Sequence, residues 1–271
     1  MLKQRVITAL ILGVVFIGSI LFADTAWLSL LFAGVMFAAT REMLDLTIKP
    51  RPLIEIIVAA IFASLFWWSL ALLTPSLVYW QSLTGVALWI AIAIGFIFYR
   101  HHDNRPLPQR VLMCGLGLVS LWIAAHGVIY LHYAYGGWVL LYMLTLVWLA
   151  DIGAYFSGRR FGRRKLAPSI SPGKTWEGVY GGILVTLAWM FLIYAVTDLL
   201  NTSLVEFLLI GVATVSISIA GDLFESVLKR EAGVKDSGKL LPGHGGVLDR
   251  IDSVISATPV FVSGLLLAGS I

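Results

Sequence analysis

Residues 177–198 read EGVYGGILVTLAWMFLIYAVTD, and no charged side chain lies between Glu177 and Asp198. A helix that crosses the hydrocarbon core of a bilayer needs about 20 consecutive, mostly apolar residues. The stretch is too long and too uniformly apolar for a barrel strand, so it predicts a transmembrane helix. Gly178 and Gly182 are spaced for close helix approach, either inside a bundle or across a dimer.

Eight similar segments extend this interpretation along the chain. Of the 271 residues, 59% are hydrophobic and 13% are charged, whereas soluble domains carry about 25% charged residues. We therefore predict an all-α, polytopic membrane helix bundle with about nine transmembrane helices. The first segment exceeds the apolar core of a secretory signal, and we interpret it as a retained helix. The eight segments lie at roughly 6–22, 26–46, 53–73, 76–99, 110–132, 136–157, 203–228 and 251–271.

The positive charges are distributed unevenly along the chain. All 19 Lys and Arg residues fall in five segments, and the four intervening turns contain none. Positively charged loops are retained in the cytoplasm, which predicts a cytoplasmic N-terminus and a C-terminus outside. The positive residues behind the net charge of +4 are thus explained by membrane topology. We therefore expect no nucleic-acid partner. The five segments are 3–5, 41–51, 100–110, 159–174 and 229–250.

Two regions, 150–178 and 221–253, are richer in polar residues than a connection between helices requires. In the second region, one pair of carboxylates lies before the loop that contains a glycine-rich stretch, and a second pair with the same three-residue spacing lies after it. A carboxylate at bilayer depth costs about 2.5–3.5 kcal/mol even on lenient insertion scales, so we expect these groups to face a cation or a cavity. The four residues are Asp222, Glu225, Asp249 and Asp252.

Carboxylates without a His or Cys cluster favour a hard cation such as Mg²⁺, which typically binds one or two carboxylates plus substrate phosphates. Glycines in the stretch PGHGG, 242–246, allow backbone amides to approach an anion. The combination indicates chemistry on a Mg-nucleotide or a phosphorylated lipid at the cytoplasmic interface. The alternative is that the cations only anchor topology and pair with the carboxylates. The cations available for a polyphosphate are Lys174, Lys229, Arg230, Lys235 and Lys239.

Residues 226–252 resemble the diagnostic motif of the phosphatidate cytidylyltransferase family. A second stretch, Ser171-Pro-Gly-Lys174-Thr175-Trp-Glu177-Gly178, is similar to another element of that family. The resemblance covers roughly 140–260, while the first five spans match only as hydrophobic helices. The motif positions are Ser226, Lys229-Arg230, Lys235-Asp236, Leu241-Pro242-Gly243-His244-Gly245-Gly246, Asp249-Arg250 and Asp252.

The resemblance implies attack of a phosphatidic acid phosphate on the α-phosphorus of CTP, which yields CDP-diacylglycerol and diphosphate. It also implies Mg²⁺ held by Asp222 and Asp249, with K⁺ as a second cation. A homodimer is expected in the bacterial inner membrane, surrounded by membrane lipids, with its active site on the cytoplasmic side. We divide this one integral membrane unit into N-terminal transmembrane helices, 1–135, and a C-terminal transmembrane catalytic region, 136–271.

Such a transfer needs alignment of the reactants and neutralisation of charge more than a protein nucleophile. His244 has two open roles, as a general base or as a hydrogen-bond donor to the loop or a phosphate. We expect Glu231 on a solvated surface. The residues predicted to be catalytic are Asp222, Lys229, Arg230, Lys235, Asp236, His244 and Asp249. Those predicted to bind substrate are Ser171, Lys174, Thr175, Glu177, Lys239, Gly245, Gly246 and Arg250.

Two other functions remain open on the sequence alone. A related cytidylyltransferase could act on another lipid phosphate, because the motif does not read the acyl chains. An ion-coupled transporter would also use membrane-embedded Asp and Glu. Transporters place such residues near the bilayer midplane on broken helices, whereas here they cluster at one edge, which favours the enzyme.

Overall fold

The computed structural model describes residues 13–101, 105–240, 243 and 245–269. Its helices alternate with short connections, and two single 3₁₀ turns, Leu70–Leu72 and Phe96–Phe98, follow the third and fourth of them. The helices are α1 Gly13–Phe22, α2 Thr25–Thr47, α3 Pro52–Ser69, α4 Pro75–Gly95, α5 Leu107–Tyr135, α6 Gly137–Phe161, α7 Trp176–Val196, α8 Leu204–Ala232 and α9 Leu248–Leu267. The strands are β1 Lys165–Ala167 and β2 Ser171–Thr175.

Eight helices, α2 to α9, are long and apolar enough to cross a membrane. Their ends lie within four residues of the predicted spans. The remaining predicted span, 6–22, begins outside the described residues, and its described part forms α1. The prediction of an all-α polytopic membrane bundle is thus confirmed.

Polar residues in the connections cap the N-termini of the helices. Their side chains accept hydrogen bonds from backbone N–H groups of the first turn, which would otherwise be unpaired. Asp24 accepts from Trp27 at the start of α2, and Thr74 accepts from Leu77 at the start of α4. Ser203 and Glu206 form a reciprocal capping box at the start of α8. The apolar runs set the length of the spans, and these caps set where they begin.

Helices α6 and α7 pack closely because glycines line their contact. A Cβ added at Gly182 would lie 2.7 Å from the carbonyl oxygen of Ala150, and one added at Gly178 would lie 2.9 Å from that of Ala154. The small-residue step of α7 therefore serves packing inside one chain, as one of the two alternatives predicted. Because of this contact, Asp151 of α6 lies beside α7 and lines the same cavity as Gly178 and Gly182.

The connection between α6 and α7 forms a β-hairpin that the sequence did not predict. Strands β1 and β2 pair antiparallel, with Lys165 opposite Thr175 and Ala167 opposite Ser171. Ile170, at the turn, is buried against Leu223 and Val227 of α8. The hairpin is therefore held against the end of α8, where it bounds the cavity described below.

The two predicted regions, 1–135 and 136–271, share one apolar core. Buried residues from α2, α5, α6 and α9 contribute to the same cluster, among them Met36, Leu121, Met143 and Phe261. The division of the chain at residue 135 stays a prediction, as does the cytoplasmic N-terminus.

The predicted orientation can be tested by labelling single cysteines. We expect Asn201→Cys to react with a membrane-impermeant maleimide from outside the cell, and Arg51→Cys only after the cytoplasmic face is opened. Both positions are exposed and lie at opposite ends of the spans. The native Cys114 is buried, which keeps the background low. Labelling with the two sides exchanged would contradict the orientation.

Candidate active site

A cavity of about 600 Å³ lies among α6, α7, α8 and α9, bounded by the hairpin. It opens between the C-terminal ends of α6 and α8 and the N-terminal ends of α7 and α9, on the side rich in Lys and Arg. A volume of this size is typical of small-molecule sites. Its charged lining residues are Asp151, Arg159, Lys174, Asp222, Asp249 and Asp252.

Asp249, in the first turn of α9, organises the loop that precedes it. Its Oδ2 accepts hydrogen bonds from the backbone and hydroxyl of Ser237, at 2.8 and 2.9 Å, and from the backbone of Gly246 at 2.8 Å. Its Oδ1 accepts from Nζ of Lys229 at 2.7 Å, and that ammonium also lies 2.6 Å from Glu225 Oε2. Lys229 thus joins two carboxylates, on α8 and α9.

Asp222 lies on the same end of α8 and faces the hairpin. Its Oδ2 lies 2.5 Å from Nζ of Lys174, which β2 supplies. Both side chains keep about a quarter of their surface exposed, at 29% and 25%. The pair is therefore accessible from the cavity, and an incoming anion can compete with Asp222 for the ammonium group.

The other carboxylates form an acidic group beside this pair. Asp151 and Asp252 each interact electrostatically with Asp222. Oε1 of Glu225 is buried and has no hydrogen-bond partner among the described residues. A cation bound among these carboxylates would offset their mutual repulsion.

These residues fit Mg²⁺ by the chemistry of their donors, which are all carboxylate oxygens. Within the described part of the chain, no group of three or more His, Cys, Asp or Glu side chains is arranged so that it could hold a metal ion by itself. Mg²⁺ commonly takes one or two carboxylates and completes its shell with water and substrate phosphates. The predicted ligand Asp222 faces the cavity, whereas the predicted ligand Asp249 already accepts four hydrogen bonds.

The structure brings five of the predicted site residues to this cavity, and Gly246 and Lys229 support it through Asp249. Lys235, Asp236 and Lys239 lie exposed on the loop after α8. Arg230 and Arg250 line other cavities, and His244 lies outside the described residues. The five are Ser171, Lys174, Thr175, Asp222 and Asp249.

Two predicted substrate-binding residues stabilise the hairpin. Thr175 is buried, and its hydroxyl accepts from Gly178 N at 3.1 Å to cap α7. Glu177 accepts from the backbones of Arg163 and Arg164 and from the Arg164 guanidinium. The last hydrogen bond raises the pKa of Arg164. Glu177 thus joins the two ends of the hairpin, and Thr175 fixes the second strand to α7.

Glu42 of α2 is a site residue that sequence reasoning missed. It is 8% exposed and accepts hydrogen bonds from Val247 N at 2.9 Å and Leu248 N at 2.8 Å. The Ser237 hydroxyl, whose proton Glu42 shares with Asp249, lies 3.1 Å from Oε2 of Glu42. A Cβ on Gly246 would overlap this carboxylate. A carboxylate in an apolar span was the available signal, but its partners are about 200 residues away in the chain.

The prediction that Glu231 lies on a solvated surface is wrong. Its side chain is 7% exposed and lies 2.8 Å from the guanidinium of Arg105. It also accepts from the hydroxyl of Tyr99 at 2.7 Å. Residue 231 is still helical, because α8 continues to Ala232, and it faces the start of α5.

Comparison with known proteins relates this geometry to a family. A sequence model described as the cytidylyltransferase family matches residues 3–267. The chain belongs to the cytidylyltransferase family. Members are nucleotidyltransferases, so the cavity with its carboxylates and Lys174 is the candidate active site of an enzyme.

Relatives of this cytidylyltransferase cover nearly the full chain. A phosphatidate cytidylyltransferase from Haemophilus influenzae is 38% identical over 96% of this chain and 97% of its own. One from Pseudomonas aeruginosa is 38% identical over 99% and 98%. A third, from Thermotoga maritima, is 33% identical over 96% and 94%. The similarity thus includes the N-terminal helices that the motifs do not reach.

Proposed function

We propose that this protein is a phosphatidate cytidylyltransferase, which converts CTP and phosphatidate to CDP-diacylglycerol and diphosphate in phospholipid biosynthesis. The observation that carries the proposal is 38% identity, over nearly the whole chain, to two relatives of that name. The cavity supports it, because carboxylates and a lysine meet at the end of four apolar helices. A lipid phosphate and a soluble nucleotide can meet at such a position.

The residues around the cavity have separate tasks in this reaction. Lys174 donates to a phosphate oxygen of the bound nucleotide and leaves Asp222 free of its ammonium partner. Asp222, with Asp252 or Asp249, would hold Mg²⁺, and the ion would supply positive charge to offset that of the phosphates. Lys229 keeps Glu225 and Asp249 in place. No protein nucleophile is required, because the lipid phosphate is the attacking group.

Position along the helices supports an enzyme over an ion-coupled transporter. Asp222 lies in the C-terminal half of α8, and Asp249 and Asp252 lie in the first two turns of α9, next to the hairpin. Transporter sites lie near the bilayer midplane between broken helices. The enzyme proposal places the active site on the cytoplasmic side of the bacterial inner membrane, because the cavity lies at the Lys- and Arg-rich end.

The cofactor and assembly are proposed on the family resemblance. Mg²⁺ is the essential cation, and K⁺ is a second one. The protein acts as a homodimer among membrane lipids. Turnover with K⁺ exchanged for choline at fixed ionic strength tests the second cation, and native mass spectrometry tests the dimer.

The substrate proposal predicts that CTP or dCTP is consumed and diphosphate is released. Purified protein is incubated with Mg²⁺, labelled nucleotide and a panel of lipid phosphates that includes phosphatidic acid and an isoprenoid phosphate. We expect turnover with ATP to be lower by at least about a hundredfold, because a site that pairs with one base leaves polar groups unpaired with another.

The nucleotide, the released product and the lipid each test a different part of the proposal. Equal turnover with ATP, or release of inorganic phosphate, would reject cytidylyl transfer. Faster turnover of the isoprenoid phosphate than of phosphatidic acid would keep the reaction and change the lipid. Omission of the lipid phosphate is the blank that shows diphosphate release depends on the acceptor.

A further inference from the structure

A second cavity, of about 340 Å³, lies between the C-terminal ends of α2 and α8 and the start of α5. It is on the same side of the bundle as the candidate active site, and its lining contains none of the residues that line the larger cavity. The charged residues that line it are Lys49, Arg105, Arg110, Arg230 and Glu231.

The one carboxylate of this cavity is already paired. Both oxygens of Glu231 accept from Arg105, at 2.8 and 2.9 Å. The hydrogen bond raises the pKa of Arg105, and burial together with Glu231 raises the pKa of Tyr99. Glu231 is thus held by Arg105 and Tyr99, and His101 lies 3.4 Å from its Oε1.

Three cations of the cavity have no carboxylate partner among the described residues. Lys49 donates to the carbonyl of Ala232 at 3.3 Å, Arg110 donates through Nε to the carbonyl of Thr47 at 2.5 Å, and Arg230 reaches the carbonyl of Ile170 at 3.5 Å. Cations at helix C-termini commonly make such contacts. Each contact uses one donor, whereas a guanidinium has five and an ammonium has three.

We propose that this cavity binds the phosphate group of an anionic membrane lipid. Arg and Lys side chains with unused donors are the groups that bind phosphate oxygens. Basic pockets between transmembrane helices on the cytoplasmic side are suited to lipid head groups. Met113 and Leu228 line the same cavity, and they offer apolar contact to the beginning of the acyl chains of such a lipid.

The backbone at the end of α2 determines where the Lys49 side chain lies. Lys49 has a φ of 53°, the only positive φ at a non-glycine residue in the described chain. Lys49 directly follows the C-cap of α2, and its backbone N–H donates to the carbonyl of Leu44 at 2.9 Å, so this conformation ends the helix. Here it directs Lys49 from the end of α2 towards the end of α8. Arg230 reaches the cavity from α8, one residue after Lys229 of the candidate active site.

The test compares lipid retention by the full-length protein and a double variant. Lys49→Asn removes the ammonium with a residue that tolerates positive φ, and Arg110→Gln removes the guanidinium. Purified proteins are titrated with phosphatidylglycerol in phosphatidylcholine micelles and examined by native mass spectrometry. We expect the double variant to bind one phosphatidylglycerol fewer, or that molecule on the order of thirtyfold more weakly, because two cations at the interface are lost.

A matched control removes two exposed cations from the same side of the bundle. Arg51→Gln with Arg163→Gln should retain phosphatidylglycerol as the wild type does, because neither residue lines the cavity. Equal loss in this control would overturn the proposal in favour of general surface charge. Unchanged retention in the double variant, or in Lys49→Asn alone if the double variant does not fold, would overturn it directly.

A third arm distinguishes the source of the phosphate. Inorganic phosphate at millimolar concentration is added to the wild-type protein before the lipid. Retention of phosphatidylglycerol despite this competitor supports a lipid ligand. If inorganic phosphate instead displaces phosphatidylglycerol from the wild type and none from the double variant, that result would overturn the lipid assignment in favour of a free anion.

Discussion

Asp222→Asn is expected to lower cytidylyl transfer by about two to three orders of magnitude, on the order of 3–4 kcal/mol in the activation barrier. The substitution keeps the size of the side chain and removes one negative charge from the acidic group that faces the cavity. It also removes the partner of Lys174. The measurement is the initial rate at limiting Mg²⁺ with CTP and phosphatidic acid in mixed micelles.

Asp198→Asn is the matched control, because Asp198 is exposed at the opposite end of the bundle. It should leave the rate unchanged. Thermal stability in detergent should be measured for both variants, so that loss of activity is separated from loss of structure. Near-wild-type activity of folded Asp222→Asn at limiting Mg²⁺ would show that the proposed metal position is wrong.

Glu42→Gln is expected to lower both the stability of the protein and its activity. Two oxygens of Glu42 accept from two adjacent backbone N–H groups, and an amide would place a donor against one of them. An unsatisfied buried donor costs about 1–3 kcal/mol. The loop that positions Asp249 would shift, and we expect kcat to fall by roughly one to two orders of magnitude.

Asp45→Asn, one turn further along α2, provides the comparison. Asp45 is exposed and makes no contact with the loop before α9 among those described. It should behave as wild type in both measurements. If Glu42→Gln matched Asp45→Asn in kcat and in melting temperature, the loop would not depend on Glu42.

Much of the fold follows from the length of the apolar segments. Helices α2 to α9 end within four residues of the predictions, because the backbone must be paired internally wherever lipid surrounds it. The β-hairpin was not predicted, because its strands are short. Its strands are three and five residues long, and they lack the alternation that identifies longer strands.

The candidate site was predictable in part from its local spacing. Asp222, Lys174 and Asp249 were found because they belong to short, polar and glycine-rich segments. Arg230 was assigned to the same site as Lys229, although consecutive residues on a helix point about 100° apart and here they reach different cavities. Glu42 was missed because no pattern in one sequence pairs α2 with a loop near the C-terminus.

The contact between Glu42 and the loop before α9 has a consequence for biosynthesis. The ribosome makes α2 early. The carboxylate of Glu42 cannot accept hydrogen bonds from Val247 and Leu248 until the last span has been inserted. A nascent chain that stops before α9 therefore holds an acid without partners in an apolar helix. The end of α2 and the loop that carries Asp249 can therefore reach their final geometry only together, after the last span is in place.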